Sequence, residues 1–382
     1  MQELSLYIHI PFCLEKCPYC DFHSIAVEKK SIEQKKYADL LMRQLDEEVE
    51  RLALRGRSLV SIYFGGGTPS LMNASLFEAV ITRAVQYFAL TKDCEITVET
   101  NPATAAVENF KSWLNVGVNR VSIGAQSFQP HLLKKLGRSH SADAAKQAVR
   151  EAAEAGFKNI SADLIFGIEG ESFEDLQNDL LEITALPLQH ISAYQLTVEP
   201  ATPLATWVRD GSFQLPKEEI LAEMQETVFA FLEKRGFDQY EISNYAKIPP
   251  LLKGGGGDFR SRHNLQYWRY GEYLGIGSGA VSTVNGQRWR TTRQLKKYFQ
   301  SDWGFEEIEI IDAKTAWKER WMMGLRLAEG VAMTEADHGF KPIFALWMEK
   351  GWAQLDGPRV TLTNKGRMIA NSLILELFSS IE

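Results

Sequence analysis

Three cysteines lie within eight residues near the start of this chain of 382 residues: Cys13, Cys17 and Cys20. Their C-x3-C-x2-C spacing brings three thiolates into one short segment, and the only other cysteine is Cys94. A [4Fe–4S] cluster normally takes four thiolates, so three would leave one iron open to another ligand. The motif therefore predicts a [4Fe–4S] cluster, and the fold must leave its open iron accessible.

An open iron is typical of radical S-adenosylmethionine (SAM) chemistry, in which the amino and carboxylate groups of SAM chelate that iron. The alternative is a structural zinc site. Closed zinc sites need four protein ligands, usually in paired C-x2-4-C elements, and no second pair is present. Cys94 is predicted to be a core thiol of a strand.

Charge and cysteine content narrow the class of protein. There are 42 basic and 49 acidic residues, a net charge of −7, so a nucleic-acid partner is not expected. Four cysteines argue against a disulfide scaffold and for a reducing compartment. No apolar run approaches the ~20 residues that span a bilayer, and the first apolar run is broken at His9 and Pro11. We expect a cytoplasmic protein.

The first 236 residues alternate apolar, β-rich runs with helical segments. Six β–α pairs in series imply parallel strands joined by right-handed crossovers. A closed barrel of eight strands would need two more units. The fold class is therefore predicted as α/β, a partial, open (β/α)6 barrel. The predicted strands are 4–10, 59–64, 95–99, 120–125, 159–166 and 190–198.

Helix starts are predicted from capping residues. Ser31 with Gln34 resembles a capping box, and Ser141 and Ser172 are typical N-caps. Three domains are predicted: the barrel at 1–236, a connecting region at 237–312, and a small helical, winged-helix-like domain at 313–382. The connecting region contains a glycine-rich run at 253–258, predicted to be a mobile loop. The last domain shows no basic recognition helix, so a packing or lid role is favoured over DNA binding.

Polar groups or glycines follow successive predicted strands, at the barrel edge where parallel barrels place their chemistry. Gly65–Gly67 would let the backbone approach a ligand closely. Glu99 and Asp163 are acceptors suited to ribose hydroxyls or an ammonium group, and Arg138 could pair with a carboxylate.

Five motifs together give the sequence a specific resemblance. It resembles the radical SAM family of oxygen-independent coproporphyrinogen III oxidases, over most of the chain including the C-terminal unit. The motifs are Tyr7-x-His9-x-Pro11-Phe12-Cys13-x3-Cys17-x-Tyr19-Cys20, Gly65-Gly-Gly-Thr-Pro69, Glu99-x-Asn-Pro102, Ser122-x-Gly-x-Gln126-Ser-Phe128 and Asp163-Leu-Ile-Phe-Gly167.

Two features separate the branches of that family. The oxidases carry a fourth cysteine two residues after the third, where this chain has Phe22. The segment Arg262–Trp268 resembles the HNxxYW motif of a heme-chaperone branch. The resemblance therefore implies a heme chaperone that binds the cluster and SAM and transfers heme to acceptor proteins. The alternative is an enzyme, an oxygen-independent coproporphyrinogen III oxidase that decarboxylates its substrate through a SAM-derived radical.

The resemblance also implies roles for individual residues, although none is assigned to catalysis. Cys13, Cys17 and Cys20 would hold the cluster, and His263 would be the first candidate for heme contact. The residues implied in SAM binding are Tyr7, Gly66, Gly67, Thr68, Glu99, Gln126, Arg138 and Asp163, flanked by Tyr19 and Phe22. The implied partners are heme, an electron donor and heme-accepting proteins, through which the chain could reach a membrane surface.

The chain departs from the heme-chaperone branch at two places. Residues 249–257 resemble an insertion just before the histidine motif. Val281 stands where relatives often carry histidine, which puts the identity of the heme ligand in question. The alternative for His263 is a buried, structural histidine.

Overall fold

The computed structural model describes residues 3–247 and 258–380. Within them, strands and helices alternate up to residue 234 and then give way to shorter elements. The strands are β1 Glu3–Ile10, β2 Phe12–Cys13, β3 Ile25–Ala26, β4 Ser58–Gly66, β5 Ala89–Thr100, β6 Arg120–Gln126, β7 Asn159–Phe166, β8 His190–Gln195, β9 Phe237–Gln239, β10 Asn244–Lys247, β11 Glu272–Ile276, β12 Val281–Val284, β13 Gln287–Arg290, β14 Glu306–Ile310, β15 Val331–Ala332, β16 Ala353–Asp356 and β17 Arg359–Leu362.

The α-helices follow the predicted pattern of one after each barrel strand, with extra short helices at the site. They are α1 Gln34–Arg51, α2 Ala74–Tyr87, α3 Val107–Asn115, α4 Pro130–Lys135, α5 Ala142–Ala155, α6 Phe173–Thr184, α7 Pro203–Asp210, α8 Glu218–Lys234, α9 Arg262–Trp268, α10 Leu295–Tyr298, α11 Ala313–Gly324, α12 Lys341–Glu349, α13 Asn364–Met368 and α14 Ala370–Ser379.

Six neighbouring parallel strands form the centre of the main sheet, in the order β1-β4-β5-β6-β7-β8. Each successive pair is joined through a helical segment, which is the connection that parallel strands require. Among the described residues, the sheet does not close on itself. β11 pairs parallel to β1 at one side, and β10 pairs antiparallel to β8 at the other. The predicted partial (β/α)6 barrel is confirmed.

Two of the three predicted helix caps are confirmed. Ser141 Oγ accepts a hydrogen bond from Ala144 N (3.2 Å), and Ser172 forms a capping box with Asp175. The Ser31 cap is wrong, because α1 begins after Glu33. Ser31 ends a 3-10 turn and its hydroxyl donates to Glu28 O (2.8 Å), so a local backbone acceptor satisfies it instead.

Residues 237–312 contribute strands to both ends of the main sheet, which has the order β14-β13-β12-β11-β1-β4-β5-β6-β7-β8-β10-β9. Their side chains Tyr245, Ile276 and Trp289 are buried in the same apolar core as the barrel. The segment predicted as a connection is therefore packed into the sheet. The predicted insertion at 249–257 and most of the glycine-rich run lie outside the described residues.

A second core lies in the C-terminal unit. Trp321, Phe344, Trp347 and Leu377 are buried there between helices and the small antiparallel sheet β15-β17-β16. This is the predicted helical, winged-helix-like arrangement. In the described part of the chain, no helix is both long and apolar enough to cross a membrane.

Candidate cofactor site

A cavity of about 560 Å³ opens at the carboxyl ends of the parallel strands. The cysteine loop covers one side of it, and Gly66, Glu99 and Gln126 reach it from the ends of β4, β5 and β6. The strand-end groups that the sequence places at one edge of the barrel therefore line the same cavity. Its lining includes the predicted residues Cys13, Cys17, Tyr19, Cys20, Phe22, Gly66, Gly67, Thr68, Glu99, Gln126, Arg138 and Asp163.

Backbone hydrogen bonds hold the cysteine loop closed. Ile25 N donates to Pro11 O (2.7 Å), and Val27 N donates to Cys13 O (2.8 Å), so β2 and β3 pair at the base of the loop. Inside it, Cys20 N donates to Cys17 O (3.2 Å). These bonds place all three thiols on the cavity wall.

Two thiols receive a polar donor from the barrel. Thr68 Oγ1 donates to Cys13 Sγ (3.5 Å), and Arg138 Nη1 donates to Cys17 Sγ (3.4 Å). Burial raises the pKa of the Cys13 and Cys20 thiols. A bound metal centre reverses that effect, since ligation deprotonates a thiol outright. Donors aimed at sulfur are the hydrogen bonds that iron–sulfur clusters receive.

The glycines beside the loop leave no room for a side chain. A Cβ on Gly67 would lie 2.7 Å from Phe12 O and 3.0 Å from Cys13 Sγ. Gly66 has a φ of 111°, and a Cβ there would lie 2.6 Å from His9 Cε1. Glycine is therefore required for the backbone to approach the cysteine loop.

The residues present fit a cluster with a second polar ligand. Three thiols line one side of the cavity. A four-iron cluster takes each thiolate at a different iron. Four lining residues also carry a buried polar atom without a hydrogen-bond partner, which a bound ligand could satisfy. These atoms are Ser24 Oγ, Thr100 Oγ1, Arg120 Nε and Arg138 Nε.

Glu99 is the most perturbed carboxyl on the cavity wall. Its Oε1 accepts from Tyr63 OH (2.8 Å) and its Oε2 from Gly66 N (3.1 Å). Burial raises the pKa of Glu99 to about 7, because desolvation and nearby Asp163 outweigh those hydrogen bonds. Burial also raises the pKa of Asp163, which accepts from Ser122 Oγ (3.3 Å). The wall offers two carboxyls whose ionisation depends on the ligand.

A bulge places Gln126 and Arg138 together. The pairing of β6 with β7 shifts register between Ile123 and Gln126, and Gln126 has a left-handed φ of 68°. The missing side chain of Gly124 makes room, since a Cβ there would lie 2.7 Å from Gln126 Nε2. Arg138 Nη2 donates to Gly124 O (3.1 Å). The strain at Gln126 is thus located at the cavity.

The aromatic residues of the site divide into two environments. Tyr19 packs with apolar residues beside the cavity, and its burial raises the pKa of its hydroxyl. Phe22 is 64% exposed at the cavity rim. Tyr7 lies behind the wall, with its ring centroid 6.2 Å from that of Tyr63, and it does not line the cavity. The structure therefore places Tyr7 behind Tyr63, away from the cavity surface.

His263 is buried beneath the cavity with both ring nitrogens bonded. Nδ1 lies 2.8 Å from Ser61 Oγ and Nε2 lies 2.9 Å from Tyr267 OH. Its ring stacks on Tyr63, at 4.7 Å between centroids, and it is 1% exposed. Desolvation lowers the pKa of His263 to about 3. In this conformation neither nitrogen is free to bind iron, as the structural alternative for this residue expects.

Sequence reasoning missed several residues that line the cavity, among them Tyr63, Arg120, Ser192 and Tyr194. Arg120 opens β6, and its charge in an otherwise uncharged strand is a sequence signal of a polar site. Its guanidinium is 2% exposed and lies 3.8 Å from Glu95. The other three are ordinary strand residues and gave no local signal.

Comparison with known proteins agrees with this geometry. Residues 7–183 match the model of the radical SAM superfamily. The chain is 34% identical to the heme chaperone HemW of Haemophilus influenzae, over 100% of this chain and 99% of that protein. It is 35% identical to the heme chaperone HemW of Escherichia coli, over 99% and 98%.

A solved structure supports the fold. Coproporphyrinogen III oxidase (HemN) of Escherichia coli, described as a radical SAM enzyme, has a TM-score of 0.80 and covers 98% of this chain and 89% of its own. Its 19% identity makes it a likeness of fold alone.

Proposed function

This chain belongs to the HemW family, and on that premise we propose that it is a heme chaperone, which binds heme and transfers it to acceptor proteins. Membership of the radical SAM superfamily implies a [4Fe–4S] cluster and SAM as cofactors. The observation that carries the chaperone over the oxidase is Phe22. It stands where the oxidases have their fourth cysteine, and its side chain is an exposed apolar ring at the cavity rim.

The proposed cluster ligands are Cys13, Cys17 and Cys20. When bound, a cluster with an open iron supplies one-electron chemistry. The chain supplies the surroundings: Thr68 and Arg138 donate hydrogen bonds to two of the sulfurs, and Gly67 lets the backbone pass beside Cys13. Hydrogen bonds of this kind are the ones that protein groups donate to the sulfurs of an iron–sulfur cluster.

The proposed SAM contacts lie on the strand-end wall. Gly66, Thr68, Glu99, Gln126, Arg138 and Asp163 all face the same cavity as the cysteines. Glu99 and Asp163 supply acceptors, and Arg138 supplies a cation with an unpartnered Nε. A zwitterionic ligand with a ribose needs both kinds of partner.

The proposed partners are heme, heme-accepting proteins and an electron donor if the cluster is reduced. A nucleic-acid partner is not part of the proposal. The proposed location is the cytoplasm, because thiolate ligands of a cluster with an open iron need a reducing compartment.

One anaerobic experiment separates the chaperone from the oxidase. The reconstituted holoprotein is given SAM with either heme or coproporphyrinogen III. The proposal predicts a stable heme spectrum, transfer of that heme to apomyoglobin, and no vinyl product. Sustained decarboxylation without stable heme binding would make the oxidase the correct function.

A further inference from the structure

His23 is held rigidly at the end of the cysteine loop. His9 Nε2 donates to His23 O (2.7 Å), and the two imidazoles stack with their centroids 5.7 Å apart. A Cβ on Gly279 would lie 2.5 Å from His23 Cδ2, so the ring packs directly on the 277–281 segment. In that segment Val281 carries no ligand atom. His23 is the imidazole that this region presents.

The hydrogen bonds around His23 decide which nitrogen carries the proton. Ser278 Oγ donates its proton to Thr292 O (2.9 Å). It can therefore only accept at His23 Nε2, which lies 3.3 Å away. Nε2 is the protonated nitrogen and Nδ1 carries the lone pair. No partner for Nδ1 is found in the part of the chain that the structure describes.

This makes His23 different from His9 beside it and from His263 beneath the cavity. His9 and His263 each have both ring nitrogens bonded and are at most 5% exposed. His23 is half-buried, with one nitrogen fixed by a hydrogen bond and the other free. Metal-bound histidines have this arrangement, in which the second nitrogen donates to a neighbouring acceptor and fixes the tautomer.

The surroundings of His23 suit a flat, apolar, anionic ligand. Phe22, which directly precedes His23, is 64% exposed. Arg293, Lys16 and Arg290 lie close enough that, after burial, their charges lower the pKa of His23, against a smaller opposite effect of Glu306.

The three cations differ in whether another residue already binds them. Arg290 is paired with Glu307, and Lys16 Nζ donates to Phe22 O (3.2 Å). Arg293 is exposed, and it forms no ion pair or hydrogen bond with any residue that the structure describes.

We propose that His23 supplies an axial ligand of heme beside the cavity rim that Phe22 and Lys16 line, where Nδ1 would bind the iron, Phe22 would lie against the porphyrin, and Arg293 and Lys16 would pair with its propionates. The inference rests on the proposed heme function and names the residues that perform it. Neutral imidazole is a standard ligand of heme iron, and cations on exposed side chains suit carboxylates.

The test is a heme titration of the reconstituted holoprotein, followed by its Soret absorption. We expect H23A to lose the imidazole-ligated spectrum and to bind heme at least tenfold more weakly, and added imidazole to restore the spectrum. H23Q removes the imidazole while keeping an amide donor for Ser278. The control H131A changes an exposed histidine that pairs with Asp175 outside the cavity and should match the unmodified protein. Cluster iron content reports that each variant is folded.

The outcomes are separable. If the unmodified holoprotein binds no heme, the proposed function fails. If it binds heme and both His23 variants give its spectrum and affinity, or if only H263A changes the spectrum, the assignment to His23 is overturned.

A charge reversal tests the propionate contacts. R293E should weaken heme binding about fivefold, as expected for an exposed ion pair. It should leave binding of heme dimethyl ester unchanged, because the ester has no charge to pair. The control K111E reverses an exposed lysine on α3. Equal weakening of heme and its ester by R293E would refute the role of Arg293.

Discussion

The mouth of the cavity and the network beneath it contain the same kinds of polar group, but the two regions differ in whether those groups have hydrogen-bond partners. In the base network (Ser5, Ser61, His263 and Tyr267), the hydroxyls and the imidazole bond to one another at 2.6–2.9 Å. On the cavity wall, Thr100 Oγ1 and Arg138 Nε have no hydrogen-bond partner among the described residues, and neither has Nδ1 of His23, which follows the rim residue Phe22. Buried polar groups are normally satisfied, so the base network contributes to stability and the mouth is prepared for a ligand.

The largest expected difference concerns the cysteines. C17A should lose the cluster, with about four irons per chain falling toward zero, because only three thiolates are available. C94A removes a thiol that is buried in β5 with a pKa raised to about 12, as predicted for a core residue. It should retain its iron. Iron and acid-labile sulfide analysis of the two variants measures this. Loss of iron in C94A would show that Cys94 is a cluster ligand rather than a core thiol.

A change in the base network should act on stability. H263A leaves Ser61 and Tyr267 without a partner in a buried space, at an expected cost of about 3 kcal/mol in the free energy of unfolding. Denaturant unfolding measures it, with the exposed H131A as control, expected to stay within about 0.5 kcal/mol. If the H263A variant were as stable as the unmodified protein but unable to bind heme, the base network would be the heme site and would not contribute to stability.

The pKa of Glu99 gives the mouth a pH dependence. With a pKa of about 7, Glu99 is mostly protonated at pH 6 and mostly ionised at pH 8 in the free protein. A ligand that needs the carboxylate then binds about tenfold more tightly at pH 8 than at pH 6. E99Q should weaken SAM binding and flatten this profile.

Glu171 supplies the matched control. Burial also raises its pKa to about 7, but it accepts hydrogen bonds from Gly167 N and Ile168 N and does not line the cavity. Calorimetric SAM titrations of E171Q should keep the slope of the unmodified protein. A slope retained in E99Q would show that another group titrates.

The smallest effect on stability is expected at the rim. Because Phe22 is 64% exposed, F22A should change the free energy of unfolding by at most about 0.5 kcal/mol. The same change at Phe110, which is fully buried, should cost about 3 kcal/mol or more. Heme affinity should fall in F22A only. A large loss of stability in F22A would mean that the rim is part of the core.

Local patterns predicted the strands and the cysteine loop, because strand periodicity and cysteine spacing are written in adjacent residues. The barrel edge followed from topology, and it brought Glu99, Gln126, Arg138 and Asp163 to one cavity. Long-range pairing could not be predicted. β11 joins β1 across more than 260 residues of sequence, and His263 finds Ser61 at a separation of 202. Nδ1 is the free nitrogen of His23 because Nε2 donates its hydrogen bond to Ser278, which lies 255 residues away in the sequence.

If His23 is the ligand, heme binds beside the cavity rim and leaves the base network unchanged. Hydrogen–deuterium exchange of the anaerobic holoprotein, with and without heme, tests it directly. With His23 as the ligand, we expect slower exchange at residues 14–28 and 277–293 when heme is bound, with no change at 259–268. Protection confined to 259–268, with the cysteine loop unaffected, would contradict it.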